Sequence, residues 1–490
     1  MKPIRFVDTT LRDGNQCLWA TRMRTATMLP ALESLDNAGF EAIELMGLVH
    51  FDAPVRYLKE NPWERMRMVA ERVRKTPLQT LMRSRCLLGF DQLADDINHL
   101  WIERLIANGM TRIVAFDGLH DWDNIVGNLR AAMNLGATIG AWLTFSISPV
   151  HTDDFYVRKA KELLDQLPDL DLVTLEDASG ILTVDRVRTL VPAIKSVIGP
   201  RPLEVHSHCL TGQAAVAYIE AAALGADVLY TCIPPLAEGA APPSVHQTVK
   251  NLRHFGYTDA LDDRLLVELR DHFTEAAARQ GMPVGAPVEY DVFHFEHQMA
   301  GGVVSNLKQQ LAAAGLSDRF EDVLHESAQV RKDLGWPIVV TPFAQLMVTQ
   351  SVLNVVSTER YTAVADEIKK YVLGYYGEPP APIDADALDR IVENGSSRVA
   401  LSPPEREPVV PRLRAQYPDA SDDERLLRFV FAGSEVDDMI AAGPIRTTDF
   451  SALDQPLTGL LAELAKRPQI RTFRYGGDGI ELALRADDDT

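Results

Sequence analysis

The stretch LVTLEDASGILTVDRVRTLVPAIKSVIGPRPLEVHSH, residues Leu172–His208, reads as a strand, a helix and a second strand. Leu172–Asp177 and Leu203–His208 are short β-rich runs. Between them Thr183 stands where an N-cap is expected, apolar residues recur three and four apart, and Gly199 sits at a left-handed C-cap position. A strand–helix–strand unit of this kind feeds a parallel sheet. Outward from it the same alternation repeats, with strand candidates at Ile4–Asp8, Ala42–Leu45, Leu78–Arg83, Arg112–Phe116, Ala137–Phe145 and Val228–Cys232. Gly39, Gly109, Gly136 and Gly225 mark further helix ends, and Thr152 a further N-cap. Eight strands by about residue 250 is the number that closes a barrel. The expected fold is therefore α/β, a (β/α)8 TIM barrel rather than a doubly wound open sheet.

Past about residue 300 the alternation stops. Helical stretches such as Ala363–Tyr375 and Glu424–Phe431 take over, punctuated by the proline-rich Gly377–Asp384 and Ser402–Pro411. The expected organisation is a barrel over residues 1–300, a helical C-terminal domain over 301–460 and a short tail over 461–490 with a hairpin at Gly476–Gly479. Forty-nine Lys and Arg against 69 Asp and Glu leave a net charge of −20, which repels phosphate backbones and anionic membranes. Nucleic acid is thus a poor partner. Cys17, Cys86, Cys209 and Cys232 have no CxxC spacing, so neither a zinc knuckle nor a disulfide framework is expected. No apolar run reaches the length of a membrane span or a signal peptide. A cytoplasmic protein without membrane insertion is the expectation.

In an eight-fold barrel, chemistry collects at the C-terminal strand ends. There the first strand runs into DTTLRDGNQ (Asp8–Gln16), the third ends in Arg83, the sixth in Glu176–Asp177 and the seventh in His206-Ser207-His208. Residues two apart on a strand face the same way, so both imidazoles point to one side. An acidic residue from the first strand, a carboxylate from the sixth and two histidines from the seventh make a mixed N/O shell for Zn²⁺, Mn²⁺ or Co²⁺. Plainer roles stand beside these. The HxH pair suits two hydrogen-bonded histidines, Arg12 and Arg83 suit salt bridges to Asp8, Asp13 or Glu176, and Glu176 suits a structural carboxylate. Cys209 suits an apolar filler, and Thr341 an N-cap before Pro342.

DTTLRDGNQ together with VHSHCLTGQ (Val205–Gln213) resembles the carboxyltransferase component of biotin-dependent enzymes: the oxaloacetate decarboxylase α subunit, the transcarboxylase subunit and the carboxyltransferase domain of pyruvate carboxylase, within the DRE-TIM metallolyase group. Asn61–Arg67, Leu78–Phe90, Ala115–Asp121, Met299–Leu307, Val340–Val356 and Gly374–Asp384 extend the resemblance over most of the chain. It implies a metal-centred barrel under a helical funnel, usually as a homodimer. By the same resemblance Asp13, His206 and His208 bind metal. Arg12, Gln16 and Arg83 hold a 2-oxo acid or its enolate, and Thr341 shuttles a proton between biotin and the enol.

The departures from that pattern are specific. Where the family carries a carbamylated lysine after the sixth strand, this chain has Glu176, roughly three bonds or about 3–4 Å shorter in reach. Ala344 replaces a serine that helps hold the biotin ring, and Cys209 replaces an acidic group. No biotinyl-lysine motif is present, and the tail is too short for a carrier domain. The first expectation is a metal-dependent carboxyltransferase or decarboxylase of oxaloacetate or a related 2-oxo acid, with biotin on a separate carrier protein or dispensed with. The others are a C–C lyase of retro-aldol or retro-Claisen type, and a catalytically silent subunit on the same scaffold.

Overall fold

The computed structural model describes residues 3–447, together with 460, 464, 467, 472–477 and 480–485. Eight parallel strands close into a barrel in chain order: β1 (Arg5–Asp8), β2 (Ala42–Gly47), β3 (Leu78–Arg83), β4 (Arg112–Phe116), β5 (Thr138–Thr144), β6 (Leu172–Asp177), β7 (Leu203–Ser207) and β8 (Val228–Thr231). Closure is made by β1 against β8, with Arg5 opposite Val228 and Asp8 opposite Thr231. The expected β3, β4 and β6 keep both ends, and the other strands shift by one or two residues. The strands are buried almost throughout because a parallel barrel covers both faces, the helices packing on the outside. All six residues of β2 and all six of β6 are buried.

Most of the expected caps are made. Thr152 Oγ1 accepts from Phe155 N and Thr183 Oγ1 from Arg186 N, and Gly39, Gly109, Gly136 and Gly225 take positive φ; Gly199 also has positive φ, but its ψ of −130° lies outside the left-handed helical region expected for it. Inside the barrel a buried polar layer fills the floor. Arg112 of β4 is paired with Glu204 of β7, which also accepts from Tyr230 Oη at 2.9 Å and Thr174 Oγ1 at 3.2 Å. Gln79 Nε2 donates to Tyr230 Oη at 3.1 Å.

Residues 3–445 belong to one compact unit and the chain from Arg446 onward to a second. In the first unit, helices Phe320–Asp333 and Phe343–Val356 build a second apolar cluster around Val323, Val330, Phe343 and Met347. Arg331 reaches from there to the loop after β5, donating to Ser146 Oγ at 2.8 Å and Ile147 O at 3.0 Å. The helix Asp422–Val430, capped by Ser421, takes in the expected Glu424–Phe431 except Phe431, which is extended, and returns to the barrel's own core through Leu426 and Leu427. Trp63 Nε1 donates to Asp423 O at 3.0 Å and Arg104 Nε to its carboxylate at 2.7 Å.

The expected long helix Ala363–Tyr375 is only Asp366–Val372. Ala365 is extended before it and Gly374 turns left-handed after it. In the second unit Thr472–Gly477 and Ile480–Arg485 pair as antiparallel strands β9 and β10. Of the hairpin expected at Gly476–Gly479, Asp478 and Gly479 lie outside the described residues, as do residues 448–459 of the expected helical domain and most of the 461–490 tail. No helix among the described residues is long and apolar enough to cross a membrane.

Candidate functional site at the barrel mouth

The chain leaves β1 through a wide π-helical turn, Thr10–Gly14, before the short helix Asn15–Trp19. Such turns are rare and recur at functional sites. This one is fixed from both ends. Thr10 Oγ1 donates to Asp8 Oδ1 at 2.6 Å, and Thr9 Oγ1 accepts from Asp13 N at 3.3 Å. The turn buries Arg12 and Asp13, 5% and 1% exposed, just past the end of β1.

Asp13 is the hub. Its Oδ2 accepts from His206 Nε2 at 2.8 Å and from His208 Nε2 at 2.9 Å, so the imidazoles meet on one carboxylate oxygen rather than on each other. Its Oδ1 accepts from Cys17 Sγ at 3.3 Å and lies 3.0 Å from Arg12 Nη1. Burial works to raise the Asp13 carboxyl, but Arg12, then His208 and His206, outweigh it and hold the group well below its usual range. Burial likewise works to lower His208, and the charge of Asp13 reverses this, holding the imidazole well above its usual value. For His206 burial prevails and the value falls. His206 packs between Trp142 and Tyr230, each ring centroid 5.3 Å away.

Glu176 enters through register: β6 and β7 pair it directly with His206. Neighbours at one level of parallel strands point to the same side. It is buried, which pushes its carboxyl up to about 7 against the opposing pull of the Thr144 hydroxyl, and its charged neighbours are His208, Arg12 and Asp13. Among the described residues its Oε2 has no hydrogen-bond partner; nor do Arg12 Nη2, His206 Nδ1 and His208 Nδ1. One carboxylate and two imidazoles converging on a point, ringed by buried polar atoms with spare valence, fit a divalent cation of the Zn, Mn or Co type.

The expected substrate-holding residues separate. Arg12 is set by its Nε donating to Glu44 Oε2 at 2.7 Å, and Glu44 is held in turn by Thr9 Oγ1 and by Gln79 Nε2 at 3.0 Å. Gln16 is exposed on the helix after the turn. Arg83 does not join Asp8, Asp13 or Glu176. Its guanidinium bonds the carbonyls of Leu87 and Gly89, both at 2.9 Å, and Cys86 Sγ at 3.2 Å, because the chain folds back over it after β3.

Thr341 is not an N-cap. Pro342 takes that position before Phe343–Val356, and Thr341 Oγ1 accepts from Gln345 Nε2 at 3.1 Å. Ala344 is 1% exposed in the second apolar cluster and presents no hydroxyl. Cys209 is buried, which pushes its thiol well up, as a filler's would be.

Two residues here escaped the sequence reading. Glu44 is the one charge in an otherwise apolar strand, AIELMG, and a lone carboxylate in a buried strand is a signal for a fixed cation nearby. Cys17 lies four residues after Asp13, the spacing that returns a side chain to the same face of a helical turn.

Among known proteins, the HMGL-like family matches residues 3–272 and the conserved carboxylase domain matches residues 295–431. A pyruvate carboxylase subunit of Methanocaldococcus jannaschii is 40% identical over 414 residues, covering 83% of this chain and 72% of that protein. The methylmalonyl-CoA carboxyltransferase 5S subunit of Propionibacterium freudenreichii is 31% identical over 421 residues, covering 86% and 82%. Among solved structures, the carboxyl transferase domain of Rhizobium etli pyruvate carboxylase with 3-bromopyruvate superposes with a TM-score of 0.84 at 21% identity. It covers 92% of this chain and 80% of that one, a likeness of fold.

Proposed function

As this chain belongs to the carboxyltransferase family of biotin-dependent enzymes, we propose that its barrel mouth moves a carboxyl group to or from oxaloacetate or a related 2-oxo acid. The observation that carries this reading is the meeting of His206 and His208 on Asp13 Oδ2 beside a buried, half-satisfied guanidinium. Asp13, His206 and His208 would hold a divalent cation, with the unpartnered Glu176 Oε2 as a further oxygen at the same mouth. When bound, such a cation supplies Lewis-acid stabilisation of the charge that develops on the oxo oxygen.

The chain's own groups do the rest. Making or breaking the bond to CO2 beside a ketone generates an enolate, and Arg12, with Nε anchored on Glu44 and Nη2 free to donate, is pre-positioned to stabilise it. Gln16, exposed one turn further on, binds the acid's carboxylate. Arg83 orders the loop after β3 against the pocket. The Thr341 hydroxyl carries a proton between the ureido ring of biotin and the enol. Residues 1–300 supply the cation-binding and substrate-holding groups, and Thr341 comes from the helical region after residue 300.

Biotin arrives on a separate carrier protein. Ala344 takes no part in holding it, so free biotin stimulates weakly and a biotinylated carrier strongly. Thr341→Ala is expected to remove biotin-stimulated turnover while leaving metal content unchanged, measured by oxaloacetate conversion with and without carrier. A variant that keeps its full biotin response contradicts the proton role. One alternative has specific support: Ala344 and Glu176 both depart from biotin chemistry, and a C–C lyase of the same group would show cleavage of a larger oxo acid with no response to any biotin carrier.

A further inference from the structure

The reading of Asp13, His206 and His208 as cation ligands leaves open what completes the shell in a chain that carries Glu176 in place of a lysine at the end of β6. Glu176 comes from the right strand, yet it is three bonds shorter than a lysine carbamate. Cys17 comes from the other side of the hub. It sits one helical turn after Asp13, its Sγ is 3.3 Å from Asp13 Oδ1, and one ligand atom each from Asp13, Cys17 and His208 lie within 4.8 Å of one another. Unlike Cys86, Cys209 and Cys232, it is only partly buried. Independent of the thiol, Glu176 Oε2 is buried without a partner among the same groups, so the mouth holds more donor capacity than its internal hydrogen bonds consume.

We propose that Cys17 is a ligand of the cation, giving this chain a sulfur-bearing shell with Asp13 and His208. The proposal rests on the metal reading of the site. On binding, the S–H bond breaks, its proton leaves to solvent, and the sulfur lone pair forms the bond to the cation. A thiolate and the Asp13 carboxylate together balance a divalent charge with both imidazoles neutral. Sulfur also shifts the preference away from Mn²⁺ toward softer ions such as Zn²⁺ and Co²⁺.

The test uses the full chain, stripped with a chelator and titrated with Co²⁺. Wild-type protein is expected to bind about one equivalent and to show a near-ultraviolet sulfur-to-cobalt charge-transfer band. Cys17→Ser should lose the band and bind cobalt about tenfold or more weakly, while Glu176→Gln keeps the band. Should Cys17→Ser fail to fold, alkylation of wild-type Cys17 by iodoacetamide, followed by mass spectrometry, is expected to slow about tenfold on cobalt loading. Stoichiometric cobalt without the band, a band that survives Cys17→Ser, or unchanged alkylation overturns the thiolate ligand and leaves the metal reading standing. No cobalt binding at all overturns both.

Discussion

His208→Ala is expected to lower bound metal to background and to cut oxo-acid turnover by about a hundredfold or more, the usual cost of removing one group that stabilises developing oxyanion charge. The geometry makes the loss specific. Asp13 Oδ2 has two imidazole partners, and removing the one that also lies within reach of Cys17 breaks the shell where its nitrogen and sulfur donors meet, so water displaces it from the ion. The fold should survive, because Arg12 still neutralises Asp13 at 3.0 Å. Elemental analysis and circular dichroism on the same preparation separate the two effects. Full turnover in a folded His208→Ala variant sinks the metal-enolate reading.

Arg112→Ala is expected to be the most damaging single change to stability, at about 3–5 kcal/mol, because it strands the charge of Glu204 inside the barrel. Glu204 is 1% exposed and, among the described residues, would keep Tyr230 Oη and Thr174 Oγ1 as its donors. The pair is costly to break rather than strong in itself. Replacing both members by leucine removes both charges and should recover most of the loss. Urea unfolding of the single and double variants decides it: a single variant within about 1 kcal/mol of wild type would mean that Glu204 finds another partner or a proton.

The barrel was legible because its signals are local. Leu172–Asp177 keeps its predicted ends in the structure, Thr183 caps the helix between β6 and β7, and Gly199 ends that helix with a positive φ that suits glycine. The hub was legible in two steps: alternation along β7 turned His206 and His208 to one side, while the choice of Asp13 among the acidic residues after β1 came from the family resemblance. What sequence could not supply was the path of the loops. Arg83 is charged and sits at a strand end, yet the chain after β3 wraps its guanidinium in carbonyls of Leu87 and Gly89, a contact set by backbone geometry alone. Cys17 carried a readable spacing from Asp13, but the π-turn that brings its sulfur to the carboxylate follows from tertiary anchoring of Thr9 and Thr10. The helix expected at Ala363–Tyr375 failed at its ends, where Ala365 is extended and Gly374 left-handed.

The most direct measurement of the central claim is oxaloacetate decarboxylation to pyruvate, with a biotinylated carrier and without it, on protein whose metal content is determined before and after chelation. The rate given by the same free metal in buffer is subtracted. The account predicts turnover that rises and falls with bound metal, disappears in stripped protein and returns on adding Zn²⁺ or Co²⁺. Metal-free protein that decarboxylates at the full rate, or fully loaded protein that leaves oxaloacetate untouched, would contradict it.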